Sequence, residues 1–381
     1  MIKYLIKNII RQFLKIFWII PVNPLKLCFQ SFRGLQPTCN PLYIYKYLNE
    51  IHPEYKYIWL VKEIPEEKLQ NVKYVKSKTF RWFYEILTSK VIITNNGFYS
   101  YIPLRKKTLI IETWHGGGAY KKVGTSFEAK NKKSDEYKSL MYYAKRLDYY
   151  ISSSKKFTEI MAESTLVDEK KFLPIGMPRN DIFFDENLTN EINNNVRAAL
   201  GFNKDDFIVL YAPTYRGGVR SAGFDINIDV KNLKDALYEK TNKNVVVLFR
   251  GHQLLRNHVD FNCFDKDVSD YRVMQELLCA TDMLITDYSS SMWDFSLLNR
   301  PCFLFVPDFD TYLNNRGFYT NPHTWGFPIC KTNEDLRNQI MSFDKDEYIS
   351  AIKKHHEILG SYEKGTSTKS ISDLIIDHLT K

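Results

Sequence analysis

Apolar residues along this chain gather into short continuous runs, and polar stretches of helical character separate them. Runs near Tyr57 to Val61, Val91 to Thr94, Thr108 to Glu112, Asp148 to Ser152 and Lys171 to Ile175 predict buried strands. Helical stretches such as Phe80 to Thr88 and Lys155 to Glu163 alternate with them. The polar run Asp185 to Asn195 reads as a connection. A second series follows, with strands near Phe207 to Tyr211, Asn244 to Phe249, Met283 to Thr286 and Pro301 to Val306 and helices near Leu233 to Glu239, Val273 to Ala280 and Met292 to Leu298. Strands alternating with helices predict an α/β protein with parallel sheets in two βα-rich halves.

The first residues follow a different pattern. Lys3, Lys7, Arg11 and Lys15 recur every fourth residue, while Ile2, Leu5, Ile6, Ile9, Ile10, Phe13, Leu14, Phe17 and Trp18 fill the rest of the helical wheel before Pro21 ends it. This predicts a basic amphipathic helix. The longest uncharged stretch, Ile16 to Leu25, is half of the roughly 20 residues that a bilayer span demands. The helix is therefore expected to lie on an anionic membrane surface, with packing against its own domain as the alternative.

With 381 residues, 44% of them hydrophobic, the chain can bury two cores. The expected division is a helix over 1–25, a first domain over 26–190 and a second over 191–381, the last helix being a candidate to pack back on the first domain. The six cysteines have no C-x-x-C spacing and no signal peptide with a small-residue cleavage site is recognisable, which fits free thiols in a reducing cytoplasm. A net charge of +9 suits nucleic acid, anionic lipid or a phosphate-rich polymer, and no nucleic-acid motif supports the first.

Candidate chemistry sits where strands end. Thr286-Asp287-Tyr288-Ser289-Ser290-Ser291 follows an apolar strand and opens a helix, so backbone N–H groups and hydroxyls converge where an anion would sit; ordinary helix capping is the alternative. His115, before the glycine turn Gly116-Gly117-Gly118, and His252, after Arg250-Gly251, each follow a strand. Side chains just past the C-termini of parallel strands face a ligand crevice. Either histidine alone reads equally well as a hydrogen-bonded loop residue; two in opposite halves favour a site.

These residues resemble the CDP-glycerol glycerophosphotransferase family, the TagB/TagF-type enzymes of teichoic acid and capsule synthesis. The resemblance rests on Ile93-Thr94-Asn95-Asn96, Thr113-Trp114-His115-Gly116 followed by Lys121-Lys122-Val123-Gly124, Gly176-Met177-Pro178-Arg179-Asn180-Asp181, Tyr211-Ala212-Pro213-Thr214-Tyr215-Arg216, Arg250-Gly251-His252, the Thr286 to Phe295 run with Leu297 to Pro301, and Arg316-Gly317-Phe318-Tyr319. The chain departs from the family pattern at Gly117-Gly118-Ala119, at Gln253, and at Gly365 to Ser370, where the family's arginine is missing.

The resemblance implies a GT-B architecture, two Rossmann-like domains facing across a cleft. It also implies transfer of a polyol phosphate (glycerol phosphate, or ribitol phosphate as the second choice) from a CDP-polyol to a hydroxyl of a lipid-linked saccharide or polyol-phosphate acceptor, with release of CMP. His115 would take the acceptor proton and His252 would assist at the phosphate or leaving group. Arg216, Arg250 and Arg316 offer forked donors to phosphate oxygens, and Thr286, Ser289, Ser290 and the backbone after Asp287 would hold the pyrophosphate. Asp287 orients His252 or a ribose hydroxyl, or caps the helix. Tyr215 is the candidate to stack on the base. Asp308-Phe309-Asp310 resembles the D-x-D metal motif of other glycosyltransferases but lies in a segment of this family's own, so no tightly held metal is expected; a dissociable Mg²⁺ accompanying the nucleotide is compatible with the chemistry. The expected location is the cytoplasmic face of the cell membrane, bound peripherally. A nucleotide-sugar glycosyltransferase, a sugar-nucleotide epimerase of similar fold and a non-catalytic membrane- or polyanion-binding protein are the competing readings.

Overall fold

A computed structural model describes residues 2–214, 228–251 and 261–380, which fall into two compact units, Met1–Asp181 with Gly360–Lys381, and Ile182–Leu359. In the first unit the strands are β1 (Asn23–Gln30), β2 (Lys56–Val61), β3 (Val72–Lys76), β4 (Ser89–Thr94), β5 (Leu109–Glu112), β6 (Tyr149–Ser152) and β7 (Phe172–Pro174). Its helices are α1 (Ile2–Leu14), α2 (Cys39–Ile51), α3 (Phe80–Leu87), α4 (Asp135–Arg146) and α5 (Lys155–Thr165). The second unit runs α6 (Glu186–Leu200), β8 (Phe207–Ala212), α7 (Val230–Thr241), β9 (Val245–Phe249), β10 (Lys266–Asp267), α8 (Met274–Ala280), β11 (Met283–Thr286), α9 (Ser291–Ser296), β12 (Cys302–Phe305), α10 (Phe309–Asn315), β13 (Ile329–Cys330), α11 (Asn333–Met341) and α12 (Lys345–Leu359). Helix α13 (Ser367–Thr380) returns to the first unit and packs on α2.

Both sheets are parallel throughout, with strand orders β3-β2-β1-β4-β5-β6-β7 and β10-β9-β8-β11-β12-β13. Each order grows outward from its first strand and reverses direction once. The reversal falls between β1 and β4 in one unit and between β8 and β11 in the other, and ligands of open α/β sheets bind at such a point, past the strand C-termini. The central strands are buried on both faces, as helices on either side require, while the edge strands β3 and β10 are more exposed. In the first unit Phe29 stacks on Trp59 at 5.3 Å with Tyr45 edge-on to both. In the second, Val209, Val247, Ile285 and Phe303 form the centre of the core.

Strands β1, β3, β10 and β13 fall outside the expected set, and two helices also depart from the expectation. β1, the strand at the reversal of the first sheet, lies in a stretch that the hydrophobic pattern left unassigned, because Lys26 interrupts it. Its ammonium is buried and paired with Glu85 of α3 at 2.7 Å. The polar run 185–195 is the start of α6, not a connection: Asp185 caps it by accepting from Leu188 N at 3.0 Å, and Gly201 ends it in the left-handed region at φ +83. In α1 the basic row is turned partly inward. Lys7 Nζ donates to Ser139 Oγ at 3.0 Å, Arg11 Nε to the Ser100 carbonyl at 2.8 Å, and the Arg11 guanidinium lies 3.5 Å over Tyr142. Leu14 and Phe17 are buried, whereas Leu5, Ile9 and Phe13 are more than half exposed.

The last residues complete the first unit. Glu363 accepts from Met177 N and Asn180 Nδ2 at 3.0 and 3.2 Å, and the Asp181 carboxylate accepts from Ser367 N and Thr368 N at 3.1 and 2.6 Å. Gly176 stands at φ +84 where a Cβ would meet Ser367 Oγ at 2.8 Å, so only glycine fits beneath this segment.

Candidate functional site

In the first unit the candidate site forms where β4 and β5 end. Thr94 and Glu112 are register partners, so the turns that follow them emerge side by side. The turn after β4 presents the Asn95 carbonyl, and the turn after β5 presents His115, whose Nδ1 lies 2.7 Å from that oxygen. A carbonyl can only accept, so Nδ1 carries the hydrogen and Nε2 the lone pair. Burial, reinforced by the charges of Arg179 and Lys121, pushes the imidazole down to about 4 against the Asn95 bond, which favours the charged form. The ring is therefore neutral near pH 7 and in the tautomer a general base needs.

The backbone around it is strained. Trp114 stands at φ +54, Gly118 at +75 and Ala119 at +47, with Phe32 and Arg33 after β1 at +46 and +54. Residues held in sparsely populated conformations cluster at functional sites. The expected glycine turn needs its freedom at Gly118; Gly116 and Gly117 are not among the residues at positive φ. Neighbours that sequence reasoning did not place in the site hold this backbone. Asn40, on the first turn of α2, donates from Nδ2 to the carbonyls of Thr113 and Trp114 at 3.1 and 3.0 Å and accepts Arg179 N at 3.1 Å. Arg179 itself is buried, with Nη1 3.0 Å from Cys39 Sγ. The adjacent asparagines after β4 and the arginine of Gly176 to Asp181 were the available signals.

In the second unit the candidate donor residues gather at the β8/β11 reversal. Asp287 spans it, its two oxygens accepting Thr214 Oγ1 and Thr214 N at 2.8 Å each, and Oδ1 also accepting Tyr288 N at 2.5 Å. The Thr286 hydroxyl donates to the Ala212 carbonyl at 2.6 Å and is fully buried. Both residues fasten the ends of neighbouring strands. Ser289 and Ser290 lie half-buried at the start of α9. Ser290 makes no side-chain capping bond to the helix, while Ser289 Oγ accepts from Ser291 N and Oγ at 3.3 and 2.9 Å. Asp294 is buried and accepts from Gln275 Nε2 at 3.2 Å.

Arg316 ends α10, the helix whose Tyr312 stacks on Tyr288 at 3.9 Å, so the turn after β11 and the Arg316 turn are tied by an aromatic stack that Phe318 extends. Arg250 is bonded within its own unit at the end of β9. Its Nη1 donates to the carbonyls of Val268 and Tyr271 at 3.1 and 2.6 Å, and burial pushes the guanidinium down to about 10. With Gly251 N on Ser269 Oγ at 2.9 Å, Arg250 anchors the strand end that leads to His252. His252, Tyr215 and Arg216 lie outside the described residues.

Tyr288 Oη donates to Asp308 at 3.3 Å, while Asp310 is exposed and 3.5 Å from Lys331 Nζ. Among the described residues no group of three or more His, Cys, Asp and Glu side chains is placed to hold a metal.

Residues 12–377 match the family model described as CDP-Glycerol:Poly(glycerophosphate) glycerophosphotransferase. A teichoic acid poly(glycerol phosphate) polymerase of Bacillus spizizenii is 32% identical over 381 residues, 95% of this chain and 94% of the relative. A teichoic acid glycerol-phosphate transferase of Staphylococcus aureus is 31% identical over 389 residues, covering 98% of each. A solved structure of the wall teichoic acid polymerase TagF, a variant soaked with CDPG, aligns with a TM-score of 0.86 at 28% identity over 98% of this chain and 94% of that one. On the strength of a match across nearly its whole length, the chain belongs to the CDP-glycerol:poly(glycerophosphate) glycerophosphotransferase family of transferases.

Proposed function

We propose that this enzyme transfers a polyol phosphate, glycerol phosphate in the first instance, from a CDP-polyol to a hydroxyl of a saccharide or polyol-phosphate acceptor. The acceptor oxygen attacks the phosphorus that bears the polyol, the bond from that phosphorus to the bridging oxygen breaks, and CMP leaves with the electron pair. The acceptor proton passes to His115 Nε2. The observation that carries this reading is the neutral imidazole with its tautomer set by the Asn95 carbonyl. Phosphoryl transfer asks chiefly for positioning and charge neutralisation, which Ser289, Ser290, Arg316 and the N–H groups opening α9 are suited to supply. His252, Arg216 and Tyr215 enter the proposal on sequence grounds, as do the GT-B arrangement, with an acceptor half and a donor half, and a dissociable Mg²⁺ travelling with the nucleotide.

The donor is tested by thermal shift. CDP-glycerol should raise the melting temperature at concentrations where UDP-sugars do not, by the equivalent of about 2.7 kcal/mol at a hundredfold excess over Kd. Ser289→Ala with Ser290→Ala should abolish that rise and leave the unliganded protein nearly unchanged. Equal stabilisation by UDP-sugars would favour the glycosyltransferase reading.

The proposal includes peripheral attachment to the cytoplasmic face of the membrane and a lipid-linked acceptor. No helix among the described residues is long and apolar enough to cross a bilayer. Leu5, Ile9 and Phe13 of α1 are exposed, with Ile16 and Ile19 beyond them. Such a row can enter the headgroup boundary, with remaining basic residues facing anionic lipid. Because Leu14 and Phe17 are buried, point changes test this better than deletion. Leu5→Gln, Ile9→Gln and Phe13→Gln together should reduce binding to phosphatidylglycerol vesicles at least ~10-fold, at about 0.8 kcal/mol per buried methylene, without lowering the melting temperature. Undiminished vesicle binding would remove α1 as the anchor.

A further inference from the structure

The β5 strand ends in a carboxylate to which the catalytic proposal has given no role. Glu112 is 1% exposed, the last residue of β5 and three before the histidine. Its Oε1 accepts Trp114 N at 2.9 Å, and its Oε2 accepts both Gly97 N at 2.7 Å and Tyr143 Oη at 3.0 Å. Trp114 and Gly97 stand at φ +54 and +65, each in the turn on one side of the His115–Asn95 contact. One side chain thus clamps the turn that carries the imidazole to the turn that carries its carbonyl partner.

We propose that Glu112 is the positioning residue for His115, and that ionised Glu112 holds the acceptor-side turns in their working geometry while protonated Glu112 lets them slacken. The inference rests on His115 being the acceptor base. Its physical basis is the direction of the hydrogen bonds. Gly97 and Trp114 offer only N–H groups, so a proton added to the carboxyl faces a donor at two of its three neighbours and must displace one of them or reverse Tyr143. The clamp is therefore complete only when the group is charged.

Burial raises the Glu112 carboxyl to about 7, against the bonds from Trp114, Gly97 and Tyr143 and the charge of Arg33. The titratable groups acting on it are Tyr143 on α4, itself raised well above its usual value by burial and by Glu112, and Arg33 on the segment after β1; Tyr150 and Arg146 act in turn on Tyr143. His115 stays neutral down to about 4, so an acid limb that moves with changes at Glu112 would not be that of His115.

The test compares Glu112→Gln and Tyr143→Phe with wild type, using CDP-glycerol and a soluble saccharide acceptor ending in glycerol phosphate, across pH 5 to 9. Glu112→Gln should lower kcat roughly 10- to 100-fold through misplacement of the base, with KM for CDP-glycerol unchanged, and its acid limb should move to lower pH because the titrating group is gone. Tyr143→Phe removes a donor that favours the carboxylate, so its acid limb should move to higher pH, with kcat nearly normal on the alkaline side. Opposite movements are not expected of two changes that merely loosen the fold. Limbs that stay in place or move together would overturn the proposal, as would full kcat in Glu112→Gln. Imidazole ¹⁵N NMR reads the clamp without turnover: His115 should carry its proton on Nδ1 in wild type above pH 7 and show mixed tautomers in Glu112→Gln, and an unchanged tautomer in the variant would also overturn it. Absence of any transfer by wild type would sink the proposed reaction instead, with the NMR result still deciding the clamp. If Glu112→Gln does not fold, the upward limb shift in Tyr143→Phe decides.

Discussion

His115→Ala is expected to lower turnover by roughly 100-fold or more, the size of effect that loss of a positioned general base produces. The imidazole bonds from Nδ1 to the Asn95 carbonyl, meets Phe32 edge-on and lies tilted against Trp114, local contacts whose removal should leave the fold intact. The loss should appear in kcat, with KM for CDP-glycerol little affected if the donor is held in the second unit. The same loss is expected for His252→Ala on sequence grounds. Turnover near wild type in either variant would take that histidine out of the mechanism.

Glu85→Ala is expected to destabilise the protein by about 3–5 kcal/mol, the cost of leaving a buried charge without its partner. Lys26 lies in the middle of β1 with its ammonium on Glu85 Oε2 and on Thr88 Oγ1 at 2.7 and 2.6 Å, and Lys73 donates to the other carboxylate oxygen. Burial raises the Glu85 carboxyl, but Lys26 and Lys73 outweigh it and hold the group below its usual range. Combining Glu85→Leu with Lys26→Met should recover most of the stability, since it is the orphaned charge that is costly. Denaturation by urea measures both; a loss below ~1 kcal/mol in Glu85→Ala would mean that the Lys26 ammonium reaches water.

The same pair explains part of what the sequence conceals. Apolar runs announce most of the strands, since parallel strands are buried on both faces. β1 is interrupted by Lys26, and the residue that neutralises it is 59 positions away, outside any local window. α6 is rich in asparagine, a poor helix former, and buries only Thr189, Val196 and Arg197, so its periodicity is faint. His115 is legible only together with His252: either alone reads equally well as a loop residue, but two strand-end histidines in opposite halves favour a site. Arg250 reads as a phosphate ligand on the same logic, yet its guanidinium donates to two carbonyls of the loop after β10. Thr286 is similar, its hydroxyl taken up by Ala212. A strand-end position tells which residues lie near a crevice, while the direction each side chain takes depends on carbonyls and carboxylates that come from elsewhere in the chain. Glu112 shows the converse: it looks like the last residue of a strand until Gly97 and Tyr143 are brought to it.

Because Glu363, Ser367 and Thr368 close over the turn at Gly176 and the carboxylate of Asp181, the first unit needs residues that the ribosome delivers only after all of Ile182–Leu359. Domains generally fold as units during synthesis, N-terminal first. Here the earlier unit must wait, its α2 face and its Asp181 carboxylate uncovered, until the later one has emerged. The nascent chain therefore spends the interval with an apolar surface open to chaperones, and stalled or prematurely terminated translation yields a second unit with all its segments beside a first that cannot close.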